Sequence, residues 1–413
     1  MSESSYPHAY DAVRRELGRR LAAPPGHLVQ LIAGPRQVGK TTLLLELEGS
    51  WAGEAVYAAA DAPAAALPGW WENLWSRAQR PGQERSSLVL LDEVQYLPQW
   101  SRLLKSKMDE LRRERHPVHV VATGSSALSL GRGSRETMAG RFEKLRLLHW
   151  QAAEIARCFG SEPRAAAFDV VRFGGYPGAT ALQSEPDRWR AYIRDSIVEP
   201  AIGRDLLAIE QVRRPALLRQ VFAIAAGHPA QILSLVKIRG QLEDPGALET
   251  IAHYLQLLED AFLVAAVPKY SGHVVRRRAA PPKLVVLNNA LLSVAIDGAP
   301  PTPEEQPERW GRWLENACIA AAWNAGQTVH YWREEPLEVD LVTSGSWGKW
   351  AVEIKTGPLH LRGLSGVLAF CGRNPDFRPV VVCDPGQQRV AEGAGVAAVP
   401  WPQFLLHGLA PSD

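Results

Sequence analysis

Gly34-Pro35-Arg36-Gln37-Val38-Gly39-Lys40-Thr41 is the stretch on which the reading of this chain turns. An apolar run, residues 27–33 (HLVQLIA), precedes it, and Thr42-Leu-Leu-Leu-Glu-Leu follows as a helix start. Two glycines separated by four residues, then Lys and Thr, make the GxxxxGK[ST] pattern of a phosphate-gripping loop. The glycines let backbone N–H groups curl round phosphate oxygens, and the helix N-terminus adds its partial positive charge. The segment from Gly34 to Thr42 is therefore expected to bind ATP. Lys40 would reach the β- and γ-phosphates, and the Thr41 hydroxyl would sit on Mg2+. The bland alternative is a glycine-rich turn with an incidental lysine, against which the strand–loop–helix context speaks.

Outward from this loop, the partner element is Leu88-Val-Leu-Leu-Asp92-Glu93. Its apolar residues predict a buried strand, and open α/β sheets bind ligands at the C-terminal ends of their strands. Asp92 is expected to hold Mg2+, directly or through water. Glu93 is expected to act as general base on the water that attacks the γ-phosphate. A strand ending in Asp-Glu also occurs as a plain helix cap. An ion-pair role is disfavoured because neighbouring strand residues face opposite ways. The next apolar run ends in Thr123-Gly124-Ser125-Ser126, polar groups that either sense the γ-phosphate, with Ser125 the candidate, or cap a helix. Arg141 follows in a segment that also holds Arg132 and Arg135. It is either an arginine supplied to a neighbouring copy's phosphates or part of a solvated loop.

The composition agrees with a multidomain globular chain. Its 413 residues suggest two to four domains at about 150 residues each. Lys plus Arg number 46 and Asp plus Glu 44, which excludes a dominant basic or acidic tail but leaves a local basic face open. No apolar run reaches the roughly 18 residues of a membrane helix. The N-terminal residues carry charges where a signal peptide needs an apolar core. The four cysteines, Cys158, Cys318, Cys371 and Cys383, lie far apart without a CxxC pair, as reduced thiols of a cytoplasmic protein do. Short apolar runs at 27–33, 55–60, 87–92, 118–123 and 145–150 alternate with helical stretches, which predicts a parallel sheet covered on both faces. Trp70, Trp71 and Trp75 form a helical stripe expected to bury against that sheet. Residues 151–263 read as mostly helical, and the Pro-rich stretch 299–309 reads as a linker. Beyond it the order is α-β-β-β-α-β: a helix over 308–325, strands at 328–332, 338–342 and 350–355, a helix at 361–371 and a strand at 379–383.

The loop, the Asp-Glu strand, the TGSS strand and the AGRFEKL segment (139–145) resemble the AAA+-like predicted ATPases of bacteria and archaea. His253-Tyr-Leu-Gln-Leu-Leu-Glu-Asp260-Ala-Phe-Leu and Pro282-Lys283-Leu are similar to that family's middle region. Glu338-Val-Asp340 and Glu353-Ile-Lys355 match its C-terminal domain of unknown function, which looks restriction-endonuclease-like. The resemblance spans most of the chain and implies an ATPase in a DNA-related or defence-related context. One departure stands out. Where the family often carries Asp-x-Gly after the Pro-Lys-Leu strand, this chain has Asn288-Asn289-Ala290.

In the middle region, 232–240, a turn at Glu243-Asp-Pro-Gly and 248–258 form a helix-turn-helix pattern. A wing would follow over 263–278, rimmed by Lys269, His273, Arg276, Arg277 and Arg278. DNA contact and interdomain packing are both open for it. In the C-terminal region Glu315 lies on the helix after the linker, Asp340 ends a Glu-Val-Asp run, and Glu353 and Lys355 share one strand face at i, i+2. This is a D…ExK pattern. Glu315, Asp340 and Glu353 would hold Mg2+, while Lys355 would position or deprotonate the attacking water. The alternative is a degenerate fold whose charges are paired or solvated. Only nine of the basic residues are lysines, so a lysine in the loop and another in ExK are not what random placement produces.

The expected architecture is α/β: a P-loop parallel-sheet core (1–155), a helical connector (156–210), a winged-helix-like module (211–298) and a smaller restriction-endonuclease-like α/β domain (307–413). The expected function is Mg-dependent ATP hydrolysis coupled to a DNA-associated nuclease-like domain. The alternative is a nucleotide-switched interaction or DNA-binding regulator with an inert nuclease-like domain. Expected partners are ATP or ADP, DNA and further copies of the chain, with no membrane.

Overall fold

In the computed structural model the apolar runs before residue 125 become strands of a single parallel sheet. The structure describes residues 9–26, 28–79, 85–124, 140–206, 212–244, 246–271, 280–295 and 298–409. Ser125, Ser126, Arg132, Arg135, His273 and Arg276 to Arg278 lie outside them. The chain divides into two compact units, one of residues 8–148 with 205–211, the other of residues 149–204 and 212–413. The last three of the four expected segments fall largely in the second unit.

The first unit runs α1 (Tyr10–Ala22), β1 (Val29–Ala33), α2 (Lys40–Ser50), β2 (Ala55–Ala59), α3 (Trp70–Ala78), β3 (Ser87–Asp92), α4 (Trp100–Glu114), β4 (Val118–Gly124) and β5 (Phe142–Arg146). The strand order is β2-β3-β4-β1-β5, with every pair parallel. β1, β3 and β4 are buried along their whole length, which is why their sequences run continuously apolar instead of alternating. α4 buries Trp100, Leu104, Met108 and Leu111, a single helical stripe. This stripe shares a core with Leu31, Val89, Leu91 and Val120 of the sheet and with Trp75. Trp70 and Trp71 pack half-buried against the same core, as their spacing predicts. Each large side chain so buried contributes about 1.5–3 kcal/mol.

The fifth strand lies earlier than expected. It occupies Phe142–Arg146, not 145–150, because β1 sets its register from Val29–Phe142 to Ala33–Arg146. Leu147 then closes the ladder by donating to the Ala33 carbonyl at 2.9 Å, and the apolar residues beyond it are buried outside the strand. Because β4 is inserted between β1 and β3, its C-terminal residues lie between the glycine-rich loop and the Asp-Glu pair.

The second unit opens with α5 (Ala152–Phe159), α6 (Pro163–Phe173) and α7 (Pro186–Tyr192). α5 starts with a capping box between Gln151 and Glu154. Then come α8 (Pro215–Gly227), β6 (Gln231–Ile232), α9 (Leu235–Arg239), α10 (Leu248–Asp260), β7 (Val264–Val267) and β8 (Lys283–Val286). This succession carries a small antiparallel sheet of order β6-β8-β7. Ile232, expected in a helix, instead pairs with Lys283, and the short helix begins after Ser234, whose hydroxyl accepts from Lys237 N at 3.2 Å.

The remainder is α11 (Pro307–Asn324), β9 (Thr328–Glu334), β10 (Leu337–Gly345), β11 (Gly348–Ile354), α12 (Ser365–Arg373), β12 (Arg378–Cys383), α13 (Gln388–Glu392), β13 (Ala397–Pro400) and α14 (Trp401–His407). The expected α-β-β-β-α-β order is present, in a mixed sheet β13-β12-β11-β10-β9. α11 is joined to the end of β8 by buried asparagines. Asn289 donates to the carbonyls of Val171 (2.7 Å) and Trp313 (2.9 Å) and accepts from Asn316 (2.8 Å). Asn316 also accepts from Val286 N at 2.9 Å. Asn288 accepts from Gly175 N and Ala290 N, and its amide meets His149 Nδ1, each at 3.1 Å. Carboxylates lack the N–H donors that Asn289 uses on Val171 and Trp313 and Asn288 on His149, which accounts physically for Asn288-Asn289 where the resembled family often carries Asp-x-Gly.

Candidate functional site

The glycine-rich loop leaves the C-terminal end of β1 and feeds directly into α2 at Lys40. Gly34 is required sterically, since a Cβ there would lie 1.8 Å from the Leu147 carbonyl oxygen. Gly39 has φ +95, and the Tyr10 ring of α1 stands 3.0 Å from where its Cβ would be. Gln37 also holds a left-handed backbone, φ 62. The curled loop exposes Thr41 and Thr42 and buries Lys40. Lys40 Nζ donates to the carbonyls of Pro35 (2.6 Å) and Gly34 (3.1 Å). Burial pushes its ammonium below the usual lysine range, opposed by the charges of Glu93 and Asp92.

Across the sheet edge, Thr41 Oγ1 donates to Asp92 Oδ2 at 2.7 Å. Asp92 is held from three further sides. Tyr57 of β2 donates to Oδ2 at 3.0 Å, Thr123 of β4 donates to Oδ1, and Glu93 N donates to Oδ1 at 3.1 Å. Thr123 Oγ1 accepts from the same Glu93 N, also at 3.1 Å. Thr123 therefore braces the acid pair. Glu93 sits at the end of β3 in a left-handed conformation, φ 50, with its carboxylate accepting from the Gln95 amide. Left-handed non-glycine residues such as Gln37 and Glu93 each cost about 1–3 kcal/mol and cluster at binding sites. Arg36 of the loop is clasped by Asp205 through the Nε and Nη2 edge of its guanidinium, and Tyr96 donates to Asp205 Oδ1 at 2.9 Å. Burial works against the Arg36 charge, but the Asp205 pairing outweighs it and holds the guanidinium above its ordinary value.

Gly34 through Thr42, Asp92 and Glu93 are thus gathered at one end of the sheet. A hydroxyl and a carboxylate in mutual contact, next to a lysine, form a donor set that fits Mg2+ and a triphosphate. Arg141 is not brought there. Its carbonyl accepts from Val29 N at the opposite end of β1, about 17 Å of strand away, and its guanidinium pairs with Asp109 at 2.8 Å. Ser125 lies outside the described residues. Tyr57, Tyr96 and Asp205 were missed by sequence reasoning. Tyr57 carried a readable signal, because it precedes the last strand residues of β2 next to the Asp-Glu strand. Asp205 carried none.

The C-terminal carboxylates also converge, but around a residue assigned no role by sequence. Lys283 of β8, 1% exposed, points its ammonium at Glu315 Oε1 (2.8 Å), Glu338 Oε1 (3.3 Å) and Asp340 Oδ1 (3.6 Å). The Asp340 carbonyl lies at 3.4 Å. Asp340 Oδ2 accepts from Ile354 N at 2.9 Å, and Lys355 pairs with Glu353 Oε1 at 2.6 Å. Glu353 Oε2 is buried without a hydrogen-bond partner. Burial and then the Asp340 charge push the Glu315 carboxyl up to about 7, and push Glu353 up as well. Lys283 goes the other way from an ordinary buried lysine: burial lowers it, but Glu315, Asp340 and Glu338 together hold it above its usual value. Glu315, Asp340, Glu353 and Lys355 are therefore brought together as the pattern predicted. Yet among the described residues no three Asp, Glu, His or Cys side chains are grouped to hold a metal ion. An ammonium lies between the carboxylates expected to do so, and the residues present do not fit Mg2+.

Comparison with known proteins bears mainly on the first unit. Residues 27–156 match the model of an AAA domain, 165–302 a domain of unknown function (DUF8612) and 310–404 another (DUF4143). An uncharacterized protein of Mycobacterium tuberculosis is 29% identical over 412 residues, covering 96% of this chain and 85% of that protein. One of Haemophilus influenzae is 21% identical over 270 residues, covering 63% of this chain and 64% of that protein. Among solved structures, the Thermotoga maritima RuvB Holliday junction branch migration motor is 18% identical, with 64% of this chain and 93% of that chain covered at a TM-score of 0.31. AMPPCP-bound DnaA from Aquifex aeolicus is 16% identical, with 63% and 89% covered at 0.32. Residues 27–156, which match the AAA domain model, hold the five-stranded parallel sheet and the GxxxxGKT loop. Among the described residues no helix is long and apolar enough to cross a membrane.

Proposed function

We propose that this chain binds and hydrolyses ATP with Mg2+, and that its nucleotide state governs a DNA-associated second unit. The observation that carries the reading is the 2.7 Å contact between Thr41 and Asp92, residues from two separate elements that together make one cation-binding pair. Bound Mg2+ would supply charge neutralisation for the β- and γ-phosphates. Lys40 exchanges its two loop carbonyls for phosphate oxygens, which compensates its buried charge. Glu93 takes the proton of the attacking water, oriented by its left-handed backbone and the Gln95 amide. Arg141, paired with Asp109 at 2.8 Å and far from its own loop, would exchange that partner for the phosphates of a neighbouring copy in a homo-oligomer. ATP turnover by purified protein tests the core reading: Glu93→Gln should retain ATP binding while turnover falls about 10²–10⁴-fold. Unchanged turnover in that variant removes Glu93 from the mechanism.

The winged-helix order of α8 to β8 supports DNA as the partner. The exposed positions of α10 include Glu249, Ala252, His253 and Gln256, few of which donate to base edges, so contact by shape and backbone is favoured over sequence reading. Read as restriction-endonuclease-like from its α-β-β-β-α-β order and D…ExK, the C-terminal domain has two readings for its chemistry: Mg-dependent cleavage, or an inert domain in a nucleotide-switched regulator. The ammonium of Lys283 inside the carboxylate cluster favours the second. Nicking of supercoiled plasmid with Mg2+ separates them; nicking abolished by Asp340→Ala would restore the nuclease reading.

A further inference from the structure

We propose that the Lys283 ammonium is a built-in cation, occupying the place of a divalent metal among Glu315, Asp340 and Glu338 and tying β8 to β10. The inference goes beyond the nucleotide reading and does not depend on it. Its basis is geometric. Lys283 is 1% exposed, and its three N–H donors face four oxygens within 3.6 Å, three of them on different carboxylates. Lys355 covers Glu353 Oε1, and Arg333 approaches Glu338 at 3.7 Å. Four carboxylates thus face three cations, of which only Lys283 is fully enclosed. A metal ion entering between Asp340 and Glu315 would need oxygens the ammonium already uses. It would also stand within about 4 Å of a buried positive charge, a repulsion that a low-dielectric site magnifies.

The arrangement also fits the position of Lys283 in the chain. It opens β8, pairs with Ile232 and Val267, and so belongs to the three-stranded sheet by its backbone and to the carboxylate cluster by its side chain. Removing its charge should leave Glu315, Glu338 and Asp340, the carboxylates its ammonium contacts, as a vacant cation site.

The probe is Mn2+ alone, followed through the electron paramagnetic resonance signal of the free ion, on full-length protein. Comparison with Asp340→Asn isolates binding at this cluster from binding elsewhere in the chain. Wild type should show no Mn2+ site that Asp340→Asn removes. Lys283→Met should gain one, holding Mn2+ at least about 100-fold more tightly than the wild-type cluster does, lost again in Lys283→Met/Asp340→Asn. Where Lys283→Met does not fold, Lys283→Gln keeps hydrogen-bond donors without the charge and serves the same comparison. An Asp340-dependent Mn2+ site in wild type overturns the proposal. So does a folded Lys283 variant that gains none, since the ammonium would then not be standing in for a metal. In either case ATP turnover is unaffected as evidence, because Lys40, Thr41 and Asp92 lie in the other unit.

Discussion

Thr123→Val is the sharpest test of how the nucleotide site is built. Valine nearly matches threonine in shape, so the substitution removes a hydroxyl without opening a cavity. That hydroxyl donates to Asp92 Oδ1 and accepts from Glu93 N at 3.1 Å, and Thr123 is fully buried. A hydrogen bond to a charged group contributes about 1.5–3 kcal/mol. If that brace holds Asp92 and Glu93 in their working geometry, its loss slows turnover about 10- to 100-fold at about 1.4 kcal/mol per tenfold. ATP affinity should fall less, because Lys40 and the loop backbone are untouched. The assay is steady-state ATP hydrolysis with direct nucleotide titration. Thr123→Ser, which keeps the hydroxyl, is the control and should stay within about threefold of wild type. Thr123→Val with unchanged turnover would show that Asp92 and Glu93 need no brace from β4.

Gly34→Ala should lose more than about 3 kcal/mol of stability, because its Cβ meets a backbone oxygen at 1.8 Å; a wild-type melting temperature would contradict the packing of β1 against residue 147. Asn289→Asp should cost about 3–5 kcal/mol, since two carbonyls lose their donor at Asn289 and face a buried charge; chemical denaturation reads it. Burial and the neighbouring Asp340 charge push the Glu315 carboxyl up to about 7 from an ordinary 4.5. A raised carboxyl binds its proton more tightly folded than unfolded, so its contribution is whole below pH 4.5 and is lost as pH rises through 7. Melting temperature should decline across that window, and Glu315→Gln should flatten the decline; identical slopes for the two proteins would remove Glu315 as its source.

The two sites differ in how much of them could be read in advance. The loop from Gly34 to Thr41 is made by consecutive backbone groups, and Asp92 and Glu93 end a run of buried apolar residues. Both signals are local, so they survive in the string. The braces on Asp92 are not local: Tyr57 and Thr123 reach it only because β2 and β4 flank β3. The position of β5 was misread because apolar residues 147 and 148 look like strand, whereas the ladder to β1 decides where the strand stops. Arg141 reads in sequence as an arginine for a neighbouring copy's phosphates or as part of a solvated loop, and strand register places it at the end of β1 away from its own phosphate loop.

By itself the amino-acid order determined the parallel-sheet core, the phosphate loop, its acid partners and the α-β-β-β-α-β succession, because each depends on spacing within one segment. Tertiary structure alone decided what the C-terminal carboxylates face. A lysine reads the same in sequence whether solvated or enclosed, and only the docking of β8 beside β10 sets the Lys283 ammonium, desolvated, among Glu315, Glu338 and Asp340.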